Sequence, residues 1–326
     1  MGSSRLIDML QEHPGQYISG EEISRRLSIS RTAVWKQIEK LREEGYEFES
    51  APRRGYRLIR KPEKLEHVAL LYALQGCTTF GQRMKLLETT VSTQEVARSL
   101  AESGSPSGTL VLAEEQTGGR GRQGRKWYSP PGKGIWMSLL LRPEQQPLSF
   151  APQLTLLTAV AVCRAIRRVS GVDAGIKWPN DILIGGRKVC GILVESVGED
   201  ELIRYCIVGI GMNVNLESCE LPTEVSTIAT SLLIERGQRI DRSLLIGEVV
   251  REMEQLYELY RSEGFAPIRI LWEALSVTLG RRITVKTTGG DLTGTAIGLD
   301  STGALVLLDE AGENRIIFSG EVQLGG

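Results

Sequence analysis

Apolar residues recur at helical spacing in three short segments near the start of the chain. Residues 5–12 are amphipathic, and Ser19 precedes an acidic turn that opens a second helix through Leu27. Ser30 is placed to cap a third helix with apolar residues at every third or fourth position, and Gly45 is typical of its end. Two short helices joined by a tight turn predict a helix-turn-helix.

The pattern then changes to the alternation of a β-hairpin. Residues 46–49 and 56–59 alternate in hydrophobicity around a turn that carries Arg53 and Arg54. A basic hairpin after a helix-turn-helix predicts a winged helix, and residues 1–61 hold 12 Lys and Arg against 9 Asp and Glu. We therefore expect DNA binding, with a protein–protein module as the alternative. The expected DNA contacts are Ser30, Arg31, Thr32, Trp35, Lys36, Arg53 and Arg54.

The central part of the chain mixes buried strands with amphipathic helices. Strands are predicted at residues 85–90, 109–115 and 134–141, Ser92 is placed to cap a short helix, and residues 152–169 form a long apolar helix. Three further strands and three helices follow, at residues 182–184, 187–195, 202–210, 229–236, 241–262 and 265–275. This order predicts a mixed α/β domain.

From Gly280 the chain consists of short alternating strands separated by glycine-rich turns. About five strands in fewer than about fifty residues are the size of an SH3-like β-barrel. The predicted fold class is therefore α+β. Three domains are expected: a winged helix-turn-helix at residues 1–62, the mixed α/β domain at residues 63–276 and the barrel at residues 277–326.

Composition narrows the class of protein. A hydrophobic share of 41%, a charged share of 24% and a net charge of −1 are typical of a soluble globular protein. No apolar run is long enough to span a membrane, and no signal peptide is recognisable. Five scattered cysteines without a C-x-x-C predict reduced thiols in a cytoplasmic protein. The chain has two isolated histidines, so neither a zinc site nor histidine-based acid–base catalysis is expected.

A loop at residues 118–127 carries the strongest chemical signal. Four glycines and four cations fall within residues 118–126, and Trp127 follows them. Glycine lets a backbone approach a ligand closely, and arginine donates in a planar fork to carboxylate or phosphate. We therefore expect a site for one or two anions, with a solvated basic turn as the alternative.

The spacing of these glycines also resembles three nucleotide motifs, which the surrounding sequence excludes. A dinucleotide-binding loop needs a helix directly after residues 119–124, but two prolines follow, and residues 117–143 contain no Asp or Glu for a ribose. A P-loop is excluded because Arg125 stands where Lys is required. A protein kinase is excluded because neither His13 nor His67 lies in an H-R-D motif.

Four motifs in order identify a resemblance. They are G-R-G-R-Q-G-R-K-W at residues 119–127, K-W-P-N-D at 177–181, G-R-K-V-C-G at 186–191 and G-I-G-M-N at 209–213. The chain resembles the biotin protein ligases, and the winged helix makes it similar to the bifunctional form that is also the biotin operon repressor. The resemblance covers essentially the whole chain and implies a class II synthetase-like central domain.

The resemblance implies a two-step reaction. Biotin and MgATP would form biotinyl-5′-AMP, and biotin would then pass to a lysine of the biotin carboxyl carrier protein domain of a carboxylase. Magnesium would arrive with ATP, without a protein-only metal site. Biotinyl-5′-AMP would also act as corepressor by favouring a homodimer that binds operator DNA. The alternatives are a biotin-sensing transcription factor without catalysis and a lipoate-type ligase on the same fold.

The resemblance also assigns roles to residues. The expected catalytic residues are Arg122 and Lys188, which would stabilise the reacting anions, and Asp181, which would orient the incoming lysine. Gln94 stands where many relatives have Asn, and it keeps the same amide. The implied biotin contacts are Ser92, Thr93, Gln94, Gln116, Arg120, Gly121, Arg122, Lys188 and Gly191. The implied ATP and adenylate contacts are Arg122, Arg125, Trp127, Lys177, Asn180 and Asn213.

Overall fold

The computed structural model describes residues 6–7, 9–10, 13, 15–43, 46–51, 54–60, 64–199 and 201–324. It divides the chain into two units, Met1–Lys64 and Leu65–Gly326. Gly45, the expected end of the third helix, and Arg53, an expected DNA contact, lie outside the described residues. The domain limits predicted from the sequence stay predictions.

The first unit contains the predicted helix-turn-helix and hairpin. Helices α1 (Gly20–Leu27) and α2 (Arg31–Glu43) precede the antiparallel strands β1 (Glu47–Ala51) and β2 (Gly55–Arg60). Ser28 takes a left-handed φ of 56° after α1, which turns the chain towards α2. This arrangement confirms the predicted helix-turn-helix with its wing.

Serine caps and a small apolar core define the first unit. Ser19 Oγ accepts from the backbone N–H of Glu22 at 3.1 Å, and Ser30 Oγ accepts from that of Ala33 at 3.2 Å, so both predicted N-caps are confirmed. The apolar positions of the helical pattern supply the core. The buried side chains are Leu6, Ile7, Met9, Leu10, Ile18, Ile23, Val34, Ile38 and Leu41.

A seven-stranded mixed sheet forms the centre of the second unit. Its order is β3-β4-β5-β9-β8-β7-β6. Strands β3 and β4 are parallel, and every other neighbouring pair is antiparallel. The strands are β3 (Met84–Thr90), β4 (Leu110–Gln116), β5 (Gly134–Leu141), β6 (Gly175–Lys177), β7 (Asp181–Ile184), β8 (Arg187–Glu199) and β9 (Leu202–Asn213). The predicted mixed α/β domain is confirmed.

Helices pack against the sheet and against one another. They are α3 (His67–Ala73), α4 (Thr93–Glu102), α5 (Phe150–Ser170), α6 (Leu232–Arg236), α7 (Arg242–Glu263) and α8 (Phe265–Leu275). Helix α5 is buried along most of its length, as its continuous apolar sequence predicts. None of the helices in the described residues is long and apolar enough to cross a membrane. All five cysteines are free thiols, and only Cys219 among them is exposed.

Helix α6 is shorter than the sequence predicted. The expected helix at residues 229–236 begins only at Leu232, with Ser231 as its N-cap. The preceding residues are extended, because the backbone N–H of Lys188 donates to Ile228 and that of Thr230 donates to Lys188. Pairing with β8 therefore replaces the first helical turn.

A five-stranded antiparallel sheet stands where the SH3-like barrel was predicted. Its order is β13-β12-β11-β10-β14. The strands are β10 (Arg282–Thr287), β11 (Gly290–Leu299), β12 (Leu305–Leu308), β13 (Asn314–Ile317) and β14 (Glu321–Leu324). Trp178 ties this sheet to the central one, since its backbone N–H donates to Thr278 Oγ1 at 3.0 Å and its indole N–H to Gly303 O at 3.4 Å.

A buried ion pair joins several segments of the second unit. Arg242 Nη2 lies 3.0 Å from Glu114 Oε2, and the two side chains are only 3% and 8% exposed. Arg242 Nη1 also donates to Gly134 O at 3.0 Å. Glu114 further accepts the backbone N–H groups of Leu65 and Gly132. The pair thus connects the start of the unit, strands β4 and β5, and helix α7.

Replacing Arg242 with Met should destabilise the second unit strongly. The change leaves the Glu114 carboxylate buried without its cation, and the free energy of unfolding should fall by about 3–5 kcal/mol. Urea unfolding followed by circular dichroism measures the change. The matched control is Arg282→Met, because Arg282 and Glu310 are 67% and 71% exposed. That variant should lose less than about 1 kcal/mol, and equal losses would contradict the assignment.

Candidate active site

A cavity of about 1210 Å³ brings together residues that lie far apart in the sequence. Its lining includes the loop after β4, the start of α4, parts of β8 and β9, the turn before β7, and β14. All the ligand residues that the sequence predicts for the central domain lie in it, and their individual roles stay predictions. They are Ser92, Thr93, Gln94, Gln116, Arg120, Gly121, Arg122, Arg125, Trp127, Lys177, Asn180, Asp181, Lys188, Gly191 and Asn213.

Two arginines anchor the cationic loop to neighbouring elements. Arg120 pairs with Glu95 on α4, and Arg125 forms a two-bond pair with Glu321 on β14, with one bond of 2.9 Å. Ser92 caps α4 as predicted, and the Glu95 carboxylate in the first turn of the same helix contacts the loop. The loop is therefore held from two sides.

Arg122 lies between these two anchors. Its Nη1 donates to Asn180 Oδ1 at 3.2 Å, and its Nη2 donates to Ser319 Oγ at 3.2 Å. Gln123 and Gly124 follow with left-handed φ values of 57° and 73°, which reverse the backbone directly after Arg122. The guanidinium is thereby fixed at the cavity by two neutral partners, which leaves its charge available to an anion.

Burial shifts the pKa values of two cavity cations. Desolvation lowers the pKa of Arg122 and of Lys177, and the nearby Asp181 carboxylate opposes the shift in both. Arg125 behaves differently, because its bond to Glu321 raises the pKa of the guanidinium and lowers that of the carboxyl group. Arg122 and Lys177 therefore present poorly hydrated positive charge, which attracts an anion more strongly than a solvated side chain would.

Lys188 and Asp181 form an ion pair inside the cavity. Lys188 Nζ lies 2.6 Å from Asp181 Oδ1 and 5.2 Å from the centroid of the Trp127 ring. The backbone of Lys188 is held on its outer side by hydrogen bonds of 2.8 and 2.9 Å with Ile228 and Thr230. These contacts fix the base of the side chain while its ammonium group remains within the cavity.

Neutral polar groups form another part of the lining. Gln116 Oε1 accepts from Thr93 N at 2.9 Å and from Thr93 Oγ1 at 3.1 Å, while Gln116 Nε2 donates to Ser129 Oγ at 3.1 Å. Thr93 Oγ1 also lies 2.8 Å from the hydroxyl of Ser138. This connected network orders the side chains in advance for a neutral ligand with several polar atoms.

The two asparagines of the lining hold backbone segments in place. Asn180 Nδ2 donates to Ile192 O at 2.8 Å, and Asn213 Nδ2 donates to Thr230 O at 3.0 Å. Both asparagines are buried. They therefore fix the shape of the cavity, and their contact with a nucleotide stays a prediction.

Trp127 packs against a glycine surface on β8 and β9. A Cβ atom on Gly211 would lie 2.6 Å from the indole Nε1, and one on Gly191 would lie 3.1 Å from the ring. The indole Nε1 is buried and has no hydrogen-bond partner among the described residues. Any side chain at these two positions would collide with the indole, so glycine is required there for the ring to pack against the strands.

Several residues of the site were not predicted from the sequence. Ser319 and Glu321 contact the loop from a segment almost two hundred residues away. Ser138 completes the polar network from inside a strand that is apolar on both sides. Gly211 lies within the fourth motif, which indicates a residue of the site, but the motif does not predict its contact with Trp127.

The first unit presents a separate candidate surface for nucleic acid. Arg31 pairs with Glu21 at 2.6 Å on the exposed side of α2, and the guanidinium of Arg54 stacks 4.2 Å from the Tyr17 ring centroid. The expected contact Arg53 cannot be placed, because it lies outside the described residues. The described DNA candidates are all exposed: Ser30, Arg31, Thr32, Trp35, Lys36 and Arg54.

Comparison with known proteins finds matches along nearly the whole chain. The Biotin/lipoate A/B protein ligase family matches residues 86–213, an HTH domain matches residues 3–57, and the biotin protein ligase C terminal domain matches residues 278–325. The bifunctional ligase/repressor BirA of Bacillus spizizenii is 45% identical over 320 residues, which are 98% of this chain and 98% of that protein. This chain belongs to the biotin protein ligase family.

More distant members of the family show the same relationship. The bifunctional ligase/repressor BirA of Escherichia coli is 32% identical over 269 residues, or 82% of this chain and 81% of that protein. The solved structure of a biotin protein ligase from Aquifex aeolicus, in complex with biotin and ATP, superposes with a TM-score of 0.66 at 32% identity. It covers 75% of this chain and 99% of its own. The resemblance identified from the four motifs and the predicted α+β fold class are thereby confirmed.

Substituting Ala for Gly211 should displace Trp127 from its place on β9. The new methyl group would overlap the indole, so the half-buried ring should become exposed and the cationic loop should loosen. We expect tryptophan emission at longer wavelength and tryptic cleavage of the loop at least about tenfold faster. The control is Gly289→Ala, where the nearest atom is 3.7 Å from the added Cβ. Identical emission and cleavage in both variants would show that the ring does not depend on the glycine.

Proposed function

We propose that this protein is an ATP-dependent biotin protein ligase and a transcriptional repressor that responds to biotinyl-5′-AMP. The observation that carries the ligase is the position of Arg122, Lys177 and Lys188 beside a neutral polar recess in one cavity. A carboxylate with an uncharged polar ring fits this combination, because the ring occupies the recess and the acid group meets the cations. The relatives named for biotin support the same substrate.

The first step joins biotin to the nucleotide. A carboxylate oxygen of biotin attacks the α-phosphorus of ATP, and pyrophosphate leaves. Negative charge is concentrated where the two anions meet, and donors from Arg122 and Lys188 stabilise it. Arg125, Trp127 and Lys177 bind the nucleotide side of the adenylate, with Asn180 and Asn213 shaping that part of the cavity.

Magnesium enters this step as part of the MgATP substrate. The described residues contain no group of three His, Cys, Asp or Glu side chains arranged to hold a metal ion. Three carboxylates line the cavity: Asp181 is paired with Lys188, Glu321 is paired with Arg125, and Glu224 is exposed. Oxygen atoms of the triphosphate are the ligands that Mg²⁺ prefers in such sites.

The second step transfers biotin to a protein. The ε-amine of a lysine attacks the acyl carbon of biotinyl-5′-AMP, and AMP leaves. That lysine belongs to the biotin carboxyl carrier domain of a carboxylase, and it must lose a proton to solvent before it can attack. Asp181, which lines the cavity, attracts and orients its ammonium group. Lys188, which one Asp181 oxygen holds in this structure, has turned to the reacting anions in the first step and leaves that carboxylate for the incoming lysine.

The repressor function rests on the first unit. The exposed side chains of α2 and the guanidinium of Arg54 suit base edges and phosphates respectively. We propose that biotinyl-5′-AMP favours a homodimer, which places two such units on an operator with two half-sites. Ligand and operator are then coupled, so that each raises the affinity for the other.

The five free cysteines suit a reducing compartment, and we assign the protein to the cytoplasm.

Biotin-dependent exchange of pyrophosphate into ATP tests the ligase. Wild-type protein should catalyse it, and Lys188→Gln should reduce the rate about 100-fold or more, since one fixed cationic donor is lost from the reacting centre. The control is Lys85→Gln on the exposed side of β3, which should exchange at the wild-type rate. A folded wild-type protein that binds biotin without exchange would instead be a sensor. Stronger exchange with lipoate than with biotin would make it a lipoate-type ligase.

Operator binding should increase with adenylate. Duplexes selected from a random-sequence pool, in the presence of biotin and ATP, provide the probe for titration and for sedimentation. We expect tighter binding and a dimer only when both substrates are present. Arg54→Ala should weaken binding to all sequences and reduce the salt dependence by about one ion, as for a phosphate contact. DNA affinity that ignores adenylate would refute the repressor half of the proposal.

A further inference from the structure

The amide of Gln94 is held in one orientation at the edge of the cavity. Gln94 Nε2 donates to Leu193 O at 3.2 Å and to Glu195 Oε2 at 3.0 Å. The side chain is buried, and its carboxamide lies against Gly209, where an added Cβ would come within 2.8 Å. The amide therefore has little room to move and two partners that fix it.

The two hydrogen-bond partners of Gln94 determine the orientation of its amide. A peptide carbonyl and a carboxylate are acceptors without a hydrogen to donate, so only the NH₂ group of Gln94 can bond to both. Reversing the amide would bring its oxygen against two other oxygens, with no hydrogen atom between them to form a bond. The carboxylate bond is the stronger of the two, because a charged acceptor strengthens a hydrogen bond.

This orientation leaves the carbonyl oxygen of Gln94 for a ligand. Gln94 lines the cavity, and its Oε1 accepts no hydrogen bond within the part of the chain that the structure describes. The neighbouring amide of Gln116 is different, since its oxygen already accepts twice from Thr93. Gln94 therefore supplies an acceptor that is aimed and unused, next to a network whose own oxygen is occupied.

We propose that Glu195 is a positioning residue that selects ligands with a ring N–H by fixing the amide of Gln94. The inference rests on the proposed function, in which the ligand is biotin, whose cyclic urea has two N–H donors. Glu195 does not line the cavity and acts through Gln94 alone. In this role Glu195 sets which ring the site accepts, while the reacting carboxylate and phosphate lie at the cationic end.

Arg98 provides the matched control for this role. Arg98 Nη2 lies 3.2 Å from the same Glu195 oxygen, and the two side chains are 43% and 37% exposed. An ion pair this exposed contributes little to the stability of the fold. Removing Arg98 thus deletes the charge partner of Glu195 and keeps the acceptor that faces Gln94.

The experiment compares three variants: Glu195→Leu, Glu195→Gln and Arg98→Leu. Biotin binding is measured by calorimetry without ATP, and pyrophosphate exchange gives KM for each substrate and kcat. Glu195→Leu should weaken biotin binding about tenfold, since the amide of Gln94 can then turn and leave a ligand N–H unpaired. Its KM for ATP and its kcat should stay within about twofold of wild type. Glu195→Gln, which retains an acceptor, and Arg98→Leu should both bind biotin like the wild type.

Competition by lipoate adds a readout that a purely structural role would not produce. Lipoate has the same pentanoate tail as biotin and a ring without N–H groups, so its inhibition constant should not change in Glu195→Leu. Equal loss for biotin and ATP, or no rescue by Glu195→Gln, overturns the inference, as does wild-type biotin affinity in Glu195→Leu. Wild-type protein that binds no biotin overturns the proposed function itself, so the two failures are distinguishable.

Discussion

Like charges repel, and this site depends on holding three guanidinium groups of one short loop in fixed places. The structure does so by giving each arginine a different partner: a carboxylate on α4, neutral groups before β7 and β14, and a carboxylate on β14 itself. The two outer arginines are neutralised, and the middle one keeps its charge for the ligand. Without these anchors, the same sequence would be a solvated basic turn.

The anchors also explain why the C-terminal sheet belongs to the active unit. Ser319 and Glu321 reach the loop from the turn into β14, and Trp178 joins the base of the cavity to the same sheet. The central sheet contributes differently, since glycines on β8 and β9 leave space for Trp127 and for the amide of Gln94. The C-terminal sheet thus holds the cationic loop, while the central sheet supplies Lys188 and the space for Trp127, and a preorganised site needs both.

Local patterns predicted most of the elements, whereas contacts across the chain were beyond them. Strand β5 and helix α5 follow directly from apolar runs, and the caps at Ser19 and Ser30 follow from the residue types. The predicted start of helix α6 was wrong, because hydrogen bonds to the backbone of Lys188 outweigh the helical propensity of the preceding residues. Motif order located the cavity residues. No local signal marks Glu321 as the partner of Arg125, or Glu195 as the partner of Gln94, because such partners are chosen by tertiary packing.

The central claim is that the cationic loop and Lys188 meet at the point where a carboxylate and an α-phosphate react. A crystal structure with the sulfamoyl analogue of biotinyl-5′-AMP, which cannot be cleaved, tests it most directly. We expect Arg122 and Lys188 both to donate to the sulfamoyl linker, Lys188 to have left Asp181, and the urea ring to lie between Gln94 and Gln116. An analogue bound with its linker away from both cations would show that the two residues do not act on the reacting groups.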